Sequence, residues 1–427
     1  MSKDVSTAAT IPQEVVDAIT DQLQASKDWY GLKSFGLVQK SWLSSSRRYL
    51  FHTISVKMWN IDWLVEILTV PSRSVTPYVR RLVVDNDHDM LLNKILPLAQ
   101  PLHAVKSLSI ALWSWGDLIP EAKENLISVF KHITFLSIHC VDFDSLSQAV
   151  HFITSYPYLE ELSLMGGYWR SDPLPSPSHM PDQSGLARLK TLRSFTLDHI
   201  EILEWFLRCQ PIPPLTTIDF SSHGRSEVNV WGRLIKGLGP TLKHLRVCHR
   251  AGFMLGASGP YRNMMSHTEY PLDTLVARGQ FLATRGCSTF NILPTDDTYL
   301  EIDLTQNTGL QSIHLESPFM TPNPHIFTNS FSGILSTISS YEVEKITLGS
   351  DVTAFQNLGL RDWELIASLL TLPRFSCVKR IHFRVLPHGP NAHSECNIGE
   401  ALIRERLQQF TSHGILSTET DRCIDHT

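Results

Sequence analysis

The chain has 427 residues, 42% of them apolar and 19% charged, with a formal net charge of −5 at neutral pH. This balance is ordinary for a globular chain and gives no support for whole-molecule attraction to nucleic acid or an anionic membrane. No apolar run approaches the roughly 18–20 residues that span a bilayer.

The polar, Ser/Thr-rich stretch Met1 to Thr10 has no apolar signal-peptide core and is expected to be disordered. The seven cysteines are an odd number with no C-x-x-C pair. A disulfide framework or structural zinc site is not expected, and a reducing compartment, cytoplasmic or nuclear, fits best.

Ile11 to Phe51 reads as three short helices. Ile11-Pro12-Gln13-Glu14 opens the first, since proline is tolerated in a first turn and glutamate suits the positive end of the helix dipole. Val15, Val16, Ile19 and Leu23 continue at helical spacing, and Lys27-Asp28 marks a break. Leu32, Phe35 and Val38 form a second apolar face, and Ser41-Trp42-Leu43 begins a third helix running to Leu50-Phe51. Three helices in about 40 residues bury little surface, so the segment needs a partner or its neighbours to be well ordered.

From Phe51 onward one pattern returns: apolar-x-x-apolar-x-apolar. It runs Phe51 to Val56, Val79 to Val84, Val105 to Ile110, Ile133 to Ile138, Leu159 to Leu164 and Leu192 to Leu197. It continues Leu215 to Phe220, Leu242 to Val247, Leu272 to Ala277, Leu310 to Leu315, Val343 to Leu348 and Val378 to Phe383. From Val79 on, start-to-start spacings run from 23 (192 to 215) to 38 (272 to 310). That is the length of one strand-plus-helix unit, which cannot bury its apolar face alone and must stack. Candidate helices follow the strands at 61–68, 122–130, 146–154, 202–209, 230–238, 331–338 and 363–370.

The expected fold is α/β: three N-terminal helices (11–52), then an irregular solenoid (53–385) with a parallel sheet inside and helices outside. Gly166 to Gly185 and Arg250 to Pro271, rich in Pro and Gly, read as long exposed loops. Residues 386–427 read as a loop, a short helix from Glu400 to Phe410, and a polar tail.

The N-terminal residues carry a resemblance. Ile11-Pro12-x-Glu14-Val15-x-x-x-Ile19-x-x-x-Leu23, then Leu32-Lys33-x-Phe35-x-Leu37-Val38-x-Lys40-Ser41-Trp42, then Leu50-Phe51, together resemble an F-box. With leucine-rich repeats behind it, the chain is similar to fungal F-box proteins. Gln39 stands where that family usually has cysteine, and Gly36 is a poor helix residue.

The resemblance implies docking on the Skp1 adaptor of a cullin-RING ubiquitin ligase, with the repeats holding a substrate protein. By position, the adaptor-facing residues would be Pro12, Val15, Ile19, Leu32, Leu37 and Trp42.

Catalytic constellations are not convincing. Gly237-Leu238-Gly239-Pro240 precedes a strand, so it reads as a helix stop rather than a dinucleotide loop. Asp85-Asn86-Asp87-His88-Asp89 lacks the glycine and distal glutamate of a calcium loop. Cys248-His249 has no second metal-binding pair nearby. No cofactor and no metal are expected, and the chain reads as a non-catalytic binder.

In such repeats the residue between the last two apolar positions faces the open concave side. Along the chain these are Ser55, Val83, Ser109, Ser137, Ser163, Thr196, Asp219, Arg246, Val276, His314, Thr347 and His382. Neighbouring positions add His244, Arg278, Lys345, Arg380 and Arg384, with Glu316 as the main acid. His244, Arg246, Arg278, His314, Arg380, His382 and Arg384 are therefore the candidate contacts for an acidic or phosphorylated partner. The competing readings are a repeat scaffold without a ligase role and a sensor of a small anionic ligand.

Overall fold

The computed structural model describes residues 11–39, 42–70, 75–85, 90–169, 183–195, 200–222, 225–249, 302–317, 324–386 and 392–420. The expected strand Leu272–Ala277, Arg278, the aspartate cluster 86–89 and most of the two long loops lie outside these residues.

Three helices open the chain: α1 (Gln13–Ala25), α2 (Trp29–Val38) and α3 (Leu43–Leu50). Pro12 precedes α1, and its carbonyl accepts from Val15 and Val16 at 3.1 and 3.3 Å. The expected break at Lys27-Asp28 has a clear cause. Lys27 takes a left-handed conformation, φ 57°, and the Asp28 carboxylate caps α2 by accepting from the Gly31 amide at 2.8 Å.

Gln13 donates to Ser45, and Ser45 donates to Asp17 at 2.7 Å, tying α1 to α3. The Ser45 hydroxyl, and the Gln13 amide that donates to the same Asp17 oxygen at 2.9 Å, hold the Asp17 carboxyl below its ordinary range. Gly36, a poor helix residue, has a packing role in α2. A Cβ there would meet the Cβ of buried Ser46 at 3.0 Å, so glycine is what lets α2 and α3 approach.

The rest is a stack of strand-plus-helix coils in two units: Met1–Leu159 with Gly167–Arg170, and Glu160–Gly166 with Ser171–Thr427. Strands are numbered along the chain. In the first unit β1 (Thr53–Val56), β2 (Arg81–Asp85), β3 (Ser107–Ser114) and β4 (Phe135–Phe143) pair in sequence order, all parallel. The second unit contributes β5 (Glu161–Met165), and β6 (Tyr168–Trp169) pairs with β4 in the first.

In the second unit β5 is followed by β7 (Thr191–Ser194), β8 (Thr217–Ser222), β9 (His244–His249), β10 (Ser312–Ser317), β11 (Lys345–Asp351), β12 (Arg380–Leu386) and β13 (Leu416–Thr420). These also pair in order and in parallel. Helices or 3-10 turns follow most strands, as at 61–69, 120–129 and 146–154 in the first unit and 200–208, 225–238 and 360–370 in the second.

One hydrogen-bond signature marks most coils. The carbonyl just before a strand accepts two consecutive amides from the next coil. Arg80 accepts from Lys106 and Ser107, Glu160 from Lys190 and Thr191, Lys190 from Thr216 and Thr217, and Glu344 from Lys379 and Arg380. The pattern's apolar residues fall inward: Val105, Leu108 and Ile110 in one coil, Ile133, Leu136 and Ile138 in the next, all buried. This inward ladder on a parallel sheet, with helices outside, is the architecture of a leucine-rich-repeat α/β solenoid.

Two expectations are corrected by the register. The sixth copy does not begin at Leu192. Thr191 and Leu192 pair with Glu161 and Leu162, so the copy begins at buried Leu189. Its neighbours at 159 and 215 then lie 30 and 26 residues away instead of 33 and 23. The residue beside Ser163 and Asp219 is accordingly Arg193, not Thr196.

β9 pairs directly with β10, and the Lys243 carbonyl accepts from Gln311 and Ser312. The expected strand Leu272–Ala277 lies outside the described residues. Second, at the far end the sheet continues past 385, where the sequence reading ended it, because β13 pairs with β12.

Local deviations are ordered too. Leu112 and Cys140, at φ 63° and 48°, interrupt β3 and β4 at the same level, so the two strands bulge together. Beyond the bulge Trp115 packs on Phe143 and Phe152 at 5.5 and 5.1 Å.

Polar clamps sit three residues before the pattern. Buried Asn307 donates from Nδ2 to the Ile235 and Gly239 carbonyls, both at 2.9 Å, and Ser340 donates to the Leu310 carbonyl at 2.8 Å. Asn307→Ala leaves two carbonyls without their donor. It should lower stability by about 2–3 kcal/mol in denaturant unfolding. Lys190→Ala removes only an exposed pair with Glu160 and should cost less than about 0.5 kcal/mol.

Candidate functional site

Two surfaces carry functional side chains. The first lies on the N-terminal helices. α1 has two faces: Val16 and Thr20 turn inward, while Ile11, Val15 and Ile19, spaced by four, stay exposed. Val15 is 46% exposed, Leu37 at the end of α2 is 85% exposed, and Trp29, Tyr30 and Val38 are exposed as well.

Of the six adaptor-facing candidates, Pro12, Val15, Ile19 and Leu37 are thus at the surface. Leu32 and Trp42 are not. Leu32 is fully buried, and Trp42, 8% exposed, stacks on Phe35 with ring centroids 4.5 Å apart. Both hold the helices together. Ile11, Tyr30 and Val38 were not singled out. The four-residue spacing of Ile11, Val15 and Ile19 was the available signal, but spacing alone does not say which of two adjacent stripes faces in.

The second surface is the strand face of the second unit. Asp219 on β8, Arg246 on β9 and His314 on β10 occupy one level, and Glu316, Gly349 and Arg384 occupy the next. Arg246 lies 2.9 Å from Glu316 and 3.6 Å from Asp219. His314 Nε2 is 3.3 Å, and Arg384 3.5 Å, from the same Glu316 carboxylate.

The Arg384–Glu316 contact spans β11 only because Gly349 stands between them, where a Cβ would press on the Glu316 Cγ at 3.1 Å. Nearer β5, Arg193 pairs with Glu161 at 2.9 Å.

The two acids respond differently to burial. Glu316, 7% exposed, is penalised by desolvation, but the His314 hydrogen bond and the charges of Arg246 and Arg384 outweigh this and hold it well below the usual carboxylate range. Asp219 is raised, because burial outweighs the pull of Arg246 and Arg193. The distances agree: the Arg246 guanidinium serves Glu316 first. In return Asp219 and Glu316 raise Arg246 against its own desolvation.

The structure thus brings Arg246, His314 and Arg384 together as expected, but around an internal acid. Their charge is committed to Glu316 and Asp219 rather than offered to a partner. His244 and His382 contact hydroxyls of the following strand, Ser312 at 2.8 Å and Ser417 at 2.9 Å. Arg380 and its register partner Lys345 are exposed, and neither is ion-paired among the described residues. Arg278 lies outside the described residues.

The strand face of the first unit is different. Ser109, Ser137 and His139 are buried on it, and Ser137 Oγ lies 2.6 Å from His139 Nε2. Burial first, and Arg81 second, lower the His139 pKa to about 4. The ring is neutral at physiological pH, and the pair satisfies its own polar atoms inside a closely packed face. The described residues contain no group of three or more potential metal ligands. None of the described helices is long and apolar enough to cross a membrane.

No protein-family model matches the chain. No curated protein matches it either. Among solved structures, a leucine-rich-repeat-containing protein of Legionella pneumophila aligns over 85% of this chain and 94% of its own, at 11% identity and a TM-score of 0.35. A leucine-rich-repeat protein of Leptospira interrogans aligns over 87% and 99%, at 12% identity and a TM-score of 0.21.

The ionic cluster predicts an acid limb in stability. The Glu316 pKa is depressed in the folded state, so its contribution is fully present above its unfolded value of 4.5 and is lost as pH falls below that. Asp219, raised, acts with the opposite sign. Glu316→Gln should cost roughly 3–5 kcal/mol at pH 7, since it takes the shared acid from Arg384 and leaves Arg246 only the longer contact to Asp219. It should also flatten the fall in stability below pH 4.5. Chemical denaturation of both proteins at several pH values measures this.

Proposed function

We propose that this chain is a substrate-recognition subunit of an SCF-type ubiquitin ligase, without catalytic chemistry of its own. Its three N-terminal helices dock on a Skp1-like adaptor and, through it, on cullin. The repeats hold a target protein. The supporting observation is the outer stripe of α1 with the end of α2: five large apolar side chains, Ile11, Val15, Ile19, Leu37 and Val38, exposed on a module of three helices. A helix that only packs on its own neighbours carries one apolar stripe; α1 carries a second.

On the repeats, the ridge of Lys345 and Arg380 fits an acidic or phosphorylated segment better than the compensated Arg246 cluster, because its charge is still exposed.

The test is calorimetric titration of the full chain with purified Skp1. Val15→Glu with Leu37→Glu should weaken binding at least about 30-fold, as loss of interface hot spots does. Their exposure means that the melting temperature should hardly change. Trp42→Ala should do the reverse, lowering stability by about 3 kcal/mol through a cavity at the Phe35 stack. Undiminished Skp1 binding by the Val15/Leu37 variant, or no binding by the parent chain, overturns the proposal.

A further inference from the structure

Where the N-terminal helices meet the first coils, the first unit has a cleft of about 430 Å³. It is lined by Arg48, Tyr49, His52, Pro77, Tyr78 and Arg80. Arg48 and Tyr49 end α3, and Pro77 and Tyr78 form a 3-10 turn ahead of β2. The frame is firm: the His52 carbonyl accepts from the Arg80 and Arg81 amides, both at 2.9 Å. The Arg80 guanidinium donates to the Pro77 and Val79 carbonyls at 2.8 and 3.2 Å, which fixes its direction.

Three arginines outnumber the acids here, although Asp21 and Asp17 are near enough to raise the Tyr49 pKa. No carboxylate among the described residues lies within ion-pair distance of Arg48, Arg80 or Arg81. The nearby acids are engaged elsewhere: Asp17 accepts from Ser45 and Gln13, and Asp21 accepts from the Tyr49 hydroxyl. His52 registers the result. Burial lowers its pKa, and Arg80, Arg81 and Arg48 lower it further. The Arg246 cluster on the second unit shows what this chain does with arginines that need no ligand: it gives them acids. Here no acid among the described residues comes within ion-pair distance.

We propose that this cleft binds a phosphomonoester, with the guanidinium groups of Arg48 and Arg80 taking its oxygens and Pro77 and Tyr78 walling the group that carries it. Guanidinium forks match phosphate geometry and are the usual choice for it. The volume falls within the roughly 300–1,000 Å³ of small-ligand sites, and it suits one phosphorylated side chain or one small phosphorylated molecule. The site is independent of adaptor docking: Ile11, Val15, Ile19 and Leu37 do not line it.

The full chain should be titrated calorimetrically with a phosphoserine peptide, with its unphosphorylated form, and with adenosine monophosphate. Saturable binding of the phosphopeptide but not its unphosphorylated form, or of the nucleotide, supports the proposal. The tighter of the two identifies the source of the phosphate. Arg48→Gln and Arg80→Gln should each weaken binding about tenfold, in line with loss of one charge-assisted contact. Arg48 is exposed, so its variant should melt with the parent.

The His52 imidazole gives a second readout by NMR. A bound dianion offsets the three arginines, so the His52 pKa should rise on saturation. Failure of both phosphate probes to bind at millimolar concentration overturns the proposal. So does unchanged affinity in the two arginine variants, or a His52 titration that ligand does not move.

Discussion

Everything in this molecule depends on the inward ladder of apolar side chains that keeps successive strands in register. Each coil sends residues such as Leu136 and Ile138, or Ile346 and Leu348, into the core at the same two levels, and all four are buried. The period of a strand is two, so a slip of one residue would exchange the buried set for the exposed one. The paired amides that close on each preceding carbonyl, as at Arg80 and Glu160, lock the same register from the backbone. Clamps such as Asn307 and Tyr156, which reaches the Leu126 carbonyl, then satisfy polar groups that the turns between coils would leave bare.

The ladder decides what the open face presents. Residues far apart in sequence become neighbours at one level, and the chain uses this to neutralise its own charge. Arg246 and Glu316 are 70 positions apart, yet they meet at 2.9 Å. A buried carboxylate with three cationic or potentially cationic neighbours is costly to desolvate, and it is tolerated because the neighbours are held in place by three separate strands. Gly349 shows the precision involved: one side chain fewer at that level lets Arg384 reach across β11. The N-terminal helices do the opposite. They leave apolar side chains in water, and the cleft beside them holds arginines with no ion pair among the described residues.

The repeat was legible because a two-level apolar pattern needs no knowledge of distant residues. It failed where the pattern was degenerate. Leu189, Leu192, Phe195 and Leu197 allow two readings three residues apart, and only pairing with Leu162 and Ile218 decides for Leu189.

On α1 and α2, apolarity identified the helices but not their inner sides. Trp42 reads as an interface residue until Phe35 is seen stacked on it. The concave cations were found, but not their commitment to Glu316 and Asp219, because a charge pattern along one strand says nothing of the strand beside it. The Arg48–Arg80 cleft combines a helix end with a turn about 30 residues later, and no local motif announces it.

Because β9 and β10 are neighbours, Arg246 reaches Glu316 on the adjacent level of the ladder. A double-mutant cycle of Arg246→Gln and Glu316→Gln, measured by denaturant unfolding of the full chain at pH 7, tests it most directly. The expected coupling energy is at least about 1 kcal/mol, as for residues in direct contact. Additive effects, with coupling near zero, would contradict it.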